Sequence, residues 1–94
     1  MPEKNLDHGG ITITPNPLPS FISEWNLELN DIVGTNFEIK IYDLSGKEVL
    51  SKRIIKTKNI SKITIPALNI SKGFYILNLL VDNKTIYNTK LVRE

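Results

Sequence analysis

Along most of this 94-residue chain, apolar and polar residues alternate with a period of two. That is the side-chain period of a pleated strand, so each alternating run predicts a strand with one buried face and one wet face. Ile11–Thr14 is the first such run. Pro15, Pro17 and Pro19 end it, because proline fixes φ and has no N–H for a ladder. From Ser23 the alternation returns, with Trp25, Leu27 and Leu29 on one face and Glu24, Asn26 and Glu28 on the other. Asn30 to Asn36 reads as a connecting loop in which Gly34 supplies an awkward φ. Phe37, Ile39 and Ile41 then form the inward face of a further strand. Asp43-Leu44-Ser45-Gly46 is turn chemistry: the carboxylate accepts bonds from the backbone ahead of it and glycine takes a positive φ. Glu48 to Ile55 is the return strand, so residues 37–55 read as a β-hairpin.

Lys56 to Asn59 is a polar connection. Ile60 to Ile65 is a strand with Ile63 and Ile65 inward, ended by Pro66. Ala67 to Lys72 is a loop or one helical turn. Gly73 opens Phe74 to Val81, whose near-continuous apolar run marks a central strand. Asp82-Asn83-Lys84 is a tight turn into a last strand, Thr85 to Val92. Seven strands punctuated this regularly predict an all-β fold: a seven-stranded antiparallel β-sandwich, immunoglobulin/fibronectin-III-like. The domain is expected over residues 11–94, with a polar linker or flexible arm at 1–10.

A length of 94 residues suits one domain, and 40% hydrophobic with 23% charged residues suits a globular one. The net charge of +2 comes from scattered lysines with no dense basic block, so nucleic acid is not an expected partner. The chain has no cysteine, which excludes disulfides, zinc–thiolate sites and thiol catalysis. No stretch approaches the roughly 18 apolar residues of a membrane span. The start, Met1-Pro2-Glu3-Lys4-Asn5, lacks the apolar core of a secretory signal peptide, so an exported domain would take that signal from elsewhere in a longer precursor.

Candidate chemistry is sparse. His8 is the only histidine and sits in the arm without metal-binding partners. Glu24, Glu28, Glu38 and Glu48 fall on outward strand positions, where solvated carboxyls lack the divergent environments that acid–base catalysis needs. Gly9-Gly10 precedes a strand and makes no phosphate loop. Trp25, Phe37 and Tyr75 fall on inward positions and read as core rather than as a carbohydrate platform. No catalytic residue, cofactor or metal is expected, and the chain does not read as an enzyme.

Four motifs remain, in fixed order: Thr14-Pro15-Asn16-Pro17; Ile41-Tyr42-Asp43-Leu44-Ser45-Gly46-Lys47-Glu48-Val49; Leu68 followed by Gly73-Phe74-Tyr75; and Lys90-Leu91-Val92. Together they resemble the type A C-terminal sorting domain of the type IX secretion system, the Por secretion tail family. Lys47 stands where arginine is the rule, and Arg93-Glu94 where two basic residues are common. The resemblance implies a non-catalytic address label of Bacteroidetes. It closes a secreted precursor, accompanies an N-terminal cargo domain through the periplasm, and directs it across the outer membrane to the cell surface or medium. Implied partners are the outer-membrane translocon, its shuttle proteins and a sortase-like cysteine protease that removes the label, with cargo released or joined to anionic lipopolysaccharide. Pro15, Asn16, Pro17, Lys90, Leu91 and Val92 are the expected translocon-recognition residues. Tyr42, Asp43, Leu44, Gly46, Gly73 and Tyr75 are the expected structural motif. Lys90 and Leu91 are expected at the surface, so that losing residues 90–94 would block export without unfolding the sandwich. The alternatives are a fibronectin-like or carbohydrate-binding accessory module of an extracellular enzyme, and a structural spacer.

Overall fold

The structure, a computed structural model, describes residues 10–30, 32–55 and 61–94. The expected arm at 1–9, Asp31 and the connection at 56–60 lie outside the described residues. The strands are β1 (Ile11–Thr14), β2 (Glu24–Leu29), β3 (Asn36–Asp43), β4 (Glu48–Ile55), β5 (Lys62–Pro66), β6 (Gly73–Val81) and β7 (Lys84–Arg93). They form two antiparallel sheets, one ordered β1-β2-β5 and the other β4-β3-β6-β7. No helix occurs among the described residues.

Alternation sets which side chains meet. Trp25, Leu27 and Leu29 of β2, with Ile63 and Ile65 of β5, bury against Phe37, Ile39 and Ile41 of β3 and Leu77 and Leu79 of β6. These inward faces make one core, as expected when two half-apolar sheets have only each other to exclude water. The indole Nε1 of Trp25 is buried there without a hydrogen-bond partner. β6 is the central strand that its apolar run predicts, flanked by β3 and β7. Only alternate residues of that run face the core; Phe74 and Ile76 face outward and are exposed.

Because every pairing is antiparallel, the connections alternate between two ends of the sandwich. The lower pole carries the β1–β2, β3–β4 and β5–β6 connections and the end of β7. The upper pole carries the β2–β3 and β6–β7 connections, and Gly10, whose carbonyl accepts from Asn30 N–H. The upper pole is locked from one turn. Asp82 and Asn83, with φ of 52° and 67°, make the two-residue hairpin turn that matches strand twist. The Asp82 carboxylate accepts from the N–H groups of Thr35 (3.1 Å) and Asn36 (2.9 Å), while Asp82 N–H donates to Asn36 O. Gly34 sits here for a reason other than the expected one. Its φ is not positive; a Cβ there would lie 2.1 Å from Cγ1 of Val81, so glycine allows the loop to close on β6.

Candidate functional site

All four sequence motifs meet at the lower pole. The first leaves β1 as a strap, residues 15–19, that crosses to the other sheet. Its proline-linked bonds Thr14–Pro15 and Asn16–Pro17 are cis. With two prolines beside it, the strap has few main-chain donors, and the Asn16 side chain supplies one donor and one acceptor instead. Asn16 Nδ2 donates to Lys90 O (2.8 Å), and Asn16 Oδ1 accepts from Val92 N–H (3.0 Å). Leu18 continues in a parallel bridge: its N–H donates to Val92 O (2.7 Å) and its carbonyl accepts from Glu94 N–H (2.9 Å). A side-chain amide thus stands in for one residue of a strand, and the edge of β7 is closed over residues 90–94. Leu18 anchors the strap in the core.

The second motif is the β3–β4 turn. Asp43 Oδ1 accepts from Ser45 N–H (2.9 Å), Ser45 Oγ (2.6 Å) and Lys47 N–H (3.0 Å). The Ser45 hydroxyl bond first, then the backbone bond from Lys47, hold this carboxyl below its ordinary value, because each favours the ionised form. Gly46 closes the turn at φ +90° with open space around it. Leu44 points away from the turn and is 69% exposed. Tyr42 lies half-buried on the outer sheet face, opposite Ile76 and Glu48.

The third motif is the β5–β6 connection. It is a turn closed by Ile70 N–H donating to Ala67 O, and Leu68 in it is 78% exposed. Gly73 takes φ +152° and pairs with Arg93. Tyr75 is buried, and its hydroxyl donates back to Ser71 O, tying the connection to β6.

The fourth motif shows where the expectations fail. Lys90 is exposed, its ammonium 5.3 Å from the centroid of the Phe74 ring. Leu91 is not at the surface. It faces inward opposite Tyr75 and is fully buried, because it follows Thr89 on the core-facing register of β7. Removing residues 90–94 therefore strips a core side chain and the strap's partner, and the expectation of a truncation that leaves the sandwich folded is corrected.

Two participants are missing from the sequence reading. Leu18 looks like a loop residue between prolines; its only signal is that it is the sole large aliphatic in that proline run. Arg93 donates through Nη1 to Pro19 O (3.0 Å) and Ile22 O (2.7 Å), holding the loop after the strap, and nothing in the sequence announces this. The strap takes up the main-chain edge of β7 over residues 90–94, so what the site presents is side chains, including apolar ones that the core does not use. Beside it lies a pocket of about 310 Å³ lined by Lys72, Gly73, Phe74, Val92, Arg93 and Glu94. No curated protein matches the chain. The family model described as "Secretion system C-terminal sorting domain" matches residues 12–94.

Proposed function

Because the chain belongs to the C-terminal sorting domains of the type IX secretion system, we propose that its lower pole is the surface through which the secretion machinery recognises it. Membership makes the domain a secretion signal, part of a larger cargo-bearing precursor sent toward the cell surface or extracellular space. The observation that carries the proposal is the convergence of the motifs. Residues separated by up to 76 positions, Asn16 and Val92, are clasped together, and the two middle motifs close turns at the same end.

The finer reading is this. The precursor reaches the periplasm, is carried by shuttle proteins to the outer-membrane translocon, and is cut by a sortase-like cysteine protease near the start of the domain. Cargo is then released or joined to anionic lipopolysaccharide, as in Bacteroidetes. The domain is a rigid label and catalyses nothing. Pro15, Asn16 and Pro17 act by holding β7, and Lys90 and Val92 lie at the face that is read. The three- and four-stranded sheets, and a tyrosine near the start of β6 bonded back to the chain before it, support an immunoglobulin/fibronectin-III-like sandwich.

The test is a reporter. Residues 1–94 are fused behind a signal peptide and a fluorescent protein, then expressed in a type IX-competent strain and in one lacking the translocon. Fluorescence in the medium or on the surface of the competent strain alone is the expected result. Fluorescence held in the periplasm of both strains would sink the sorting reading and favour a binding module.

A further inference from the structure

We infer that the exposed apolar residues of the lower pole, Leu44, Leu68 and Phe74, dock onto an apolar protein surface rimmed by carboxylates. This inference rests on the sorting reading and names what that pole contacts.

Exposed apolar side chains are unevenly distributed. Phe21 (83% exposed), Leu44 and Leu68 lie in the loops of the lower pole, and Val49, Phe74 and Ile76 lie on strands just inside them. Val33 and Ile55 alone among the described residues lie at the upper pole. Leu44 and Leu68 have no task in the fold. The 43–47 turn is closed by Asp43 and Gly46, and the 67–70 turn by a backbone bond. Water-facing leucines in two loops of one pole cost solubility and return no stability, which is the signature of a contact surface.

Charge narrows the partner. Lys47 follows Leu44 by three residues, Lys72 follows Leu68 by four, and Lys90 stands over the Phe74 ring. Among the described residues none of these three lysines lies within ion-pair distance of a carboxylate; the ion pairs there join Lys40 and Arg53 to Glu38 and Glu48. Lys90 thus stands over Phe74 and Lys72 follows Leu68 without a carboxylate partner, while Lys47, whose charge also acts on Asp43, follows Leu44; an acidic rim would complement the three. A concave feature favours a protein over an anionic lipid surface. The pocket of about 310 Å³ between Gly73, Phe74 and Val92 has room for one apolar side chain from a partner. Lys47, Lys72, Lys90 and Arg93 are also interspersed with Glu24, Asp43, Glu48 and Glu94, so the pole lacks the net positive charge of the basic clusters that mark lipid binding.

The experiment compares two double variants in the reporter strain above: Leu44→Ser/Leu68→Ser at the lower pole and Val33→Ser/Ile55→Ser at the upper pole. All four positions are exposed, so both purified variants should melt within a few degrees of the parent chain. Export should fall about tenfold or more for the lower-pole variant and stay within about twofold for the other. A triple Lys47→Glu/Lys72→Glu/Lys90→Glu variant should also lose export. If the parent is exported and the lower-pole variant is exported as well, the docking inference is overturned while the sorting reading stands. If the parent is not exported, the sorting reading itself fails. Sedimentation of the parent chain with phosphatidylcholine/phosphatidylglycerol vesicles, abolished by Leu44→Ser/Leu68→Ser, would replace the protein partner with a membrane and overturn the inference too.

Discussion

The two poles of the sandwich each depend on an aspartate, and they use it differently. Asp82 at the upper pole reaches into another connection and holds the N–H groups of Thr35 and Asn36. Asp43 at the lower pole bonds only within its own turn. The upper pole is therefore sealed loop to loop, with Gly34 closed onto Val81. At the lower pole the middle loops are satisfied locally, and their outward side chains are left over. The long-range locks there are the strap on β7, through Asn16 and Leu18, and the Arg93 guanidinium on Pro19 and Ile22, and each of them holds main chain. Both ends are locked, but only the lower one gathers exposed apolar side chains in its loops.

Three substitutions probe that division, in falling order of effect. Leu91→Ala should cost about 2–5 kcal/mol in urea unfolding, because Leu91 belongs to the shared core despite lying in the last motif. A cost near zero would mean that β7 ends as a free tail and that the poles are not built on one core. Next come the two locks. Asp82→Ala removes an acceptor from two N–H groups and puts alanine at a φ of 52°, for about 2–3 kcal/mol. Asn16→Ala removes two bonds as exposed as those of Asp82 but at a φ that is not positive, and should cost about 1–2 kcal/mol. Hydrogen exchange distinguishes them: Asn36 should exchange faster in the first and Val92 in the second. Speeding of both amides by either change would erase the distinction between the poles.

The smallest effect is a pH dependence. Asp43 titrates below its ordinary value in the folded chain, so it binds fewer protons folded than unfolded. Its contribution is full above the ordinary aspartate range, declines as pH falls through that range, and is gone below the lowered folded value. Asp43→Asn should be less stable than the parent at neutral pH, and the gap should close in acid. A gap independent of pH would show that the Ser45 and Lys47 bonds do not depend on the carboxylate charge.

Local pattern made the strands and their faces legible. Trp25, Leu27, Phe37, Ile39, Ile63 and Ile65 are buried where a period of two puts them. The Asp43–Gly46 turn was equally readable, because every bond in it spans four residues or fewer. What sequence hid is long-range. Asn16 finds its partners 74 and 76 residues away, and no local signal distinguishes an asparagine that closes a distant strand from one in an ordinary loop. Leu91 sits in a motif at the end of the sequence, but the alternation of β7 decides its side and turns it into the core. Gly34 reads in sequence as a backbone-angle glycine, because a neighbour such as Val81, 47 residues on, leaves no local signal.

The alternation of connections gives the molecule a front and a back. Gly10, where the described chain begins, sits at the upper pole, and the motifs sit at the lower one. A nine-residue strand such as β6 separates the two by about 30 Å. A fold joined ahead of residue 10 therefore enters the domain at the pole opposite the motifs. The point of attachment and the proposed recognition face thus lie at opposite ends of one fold.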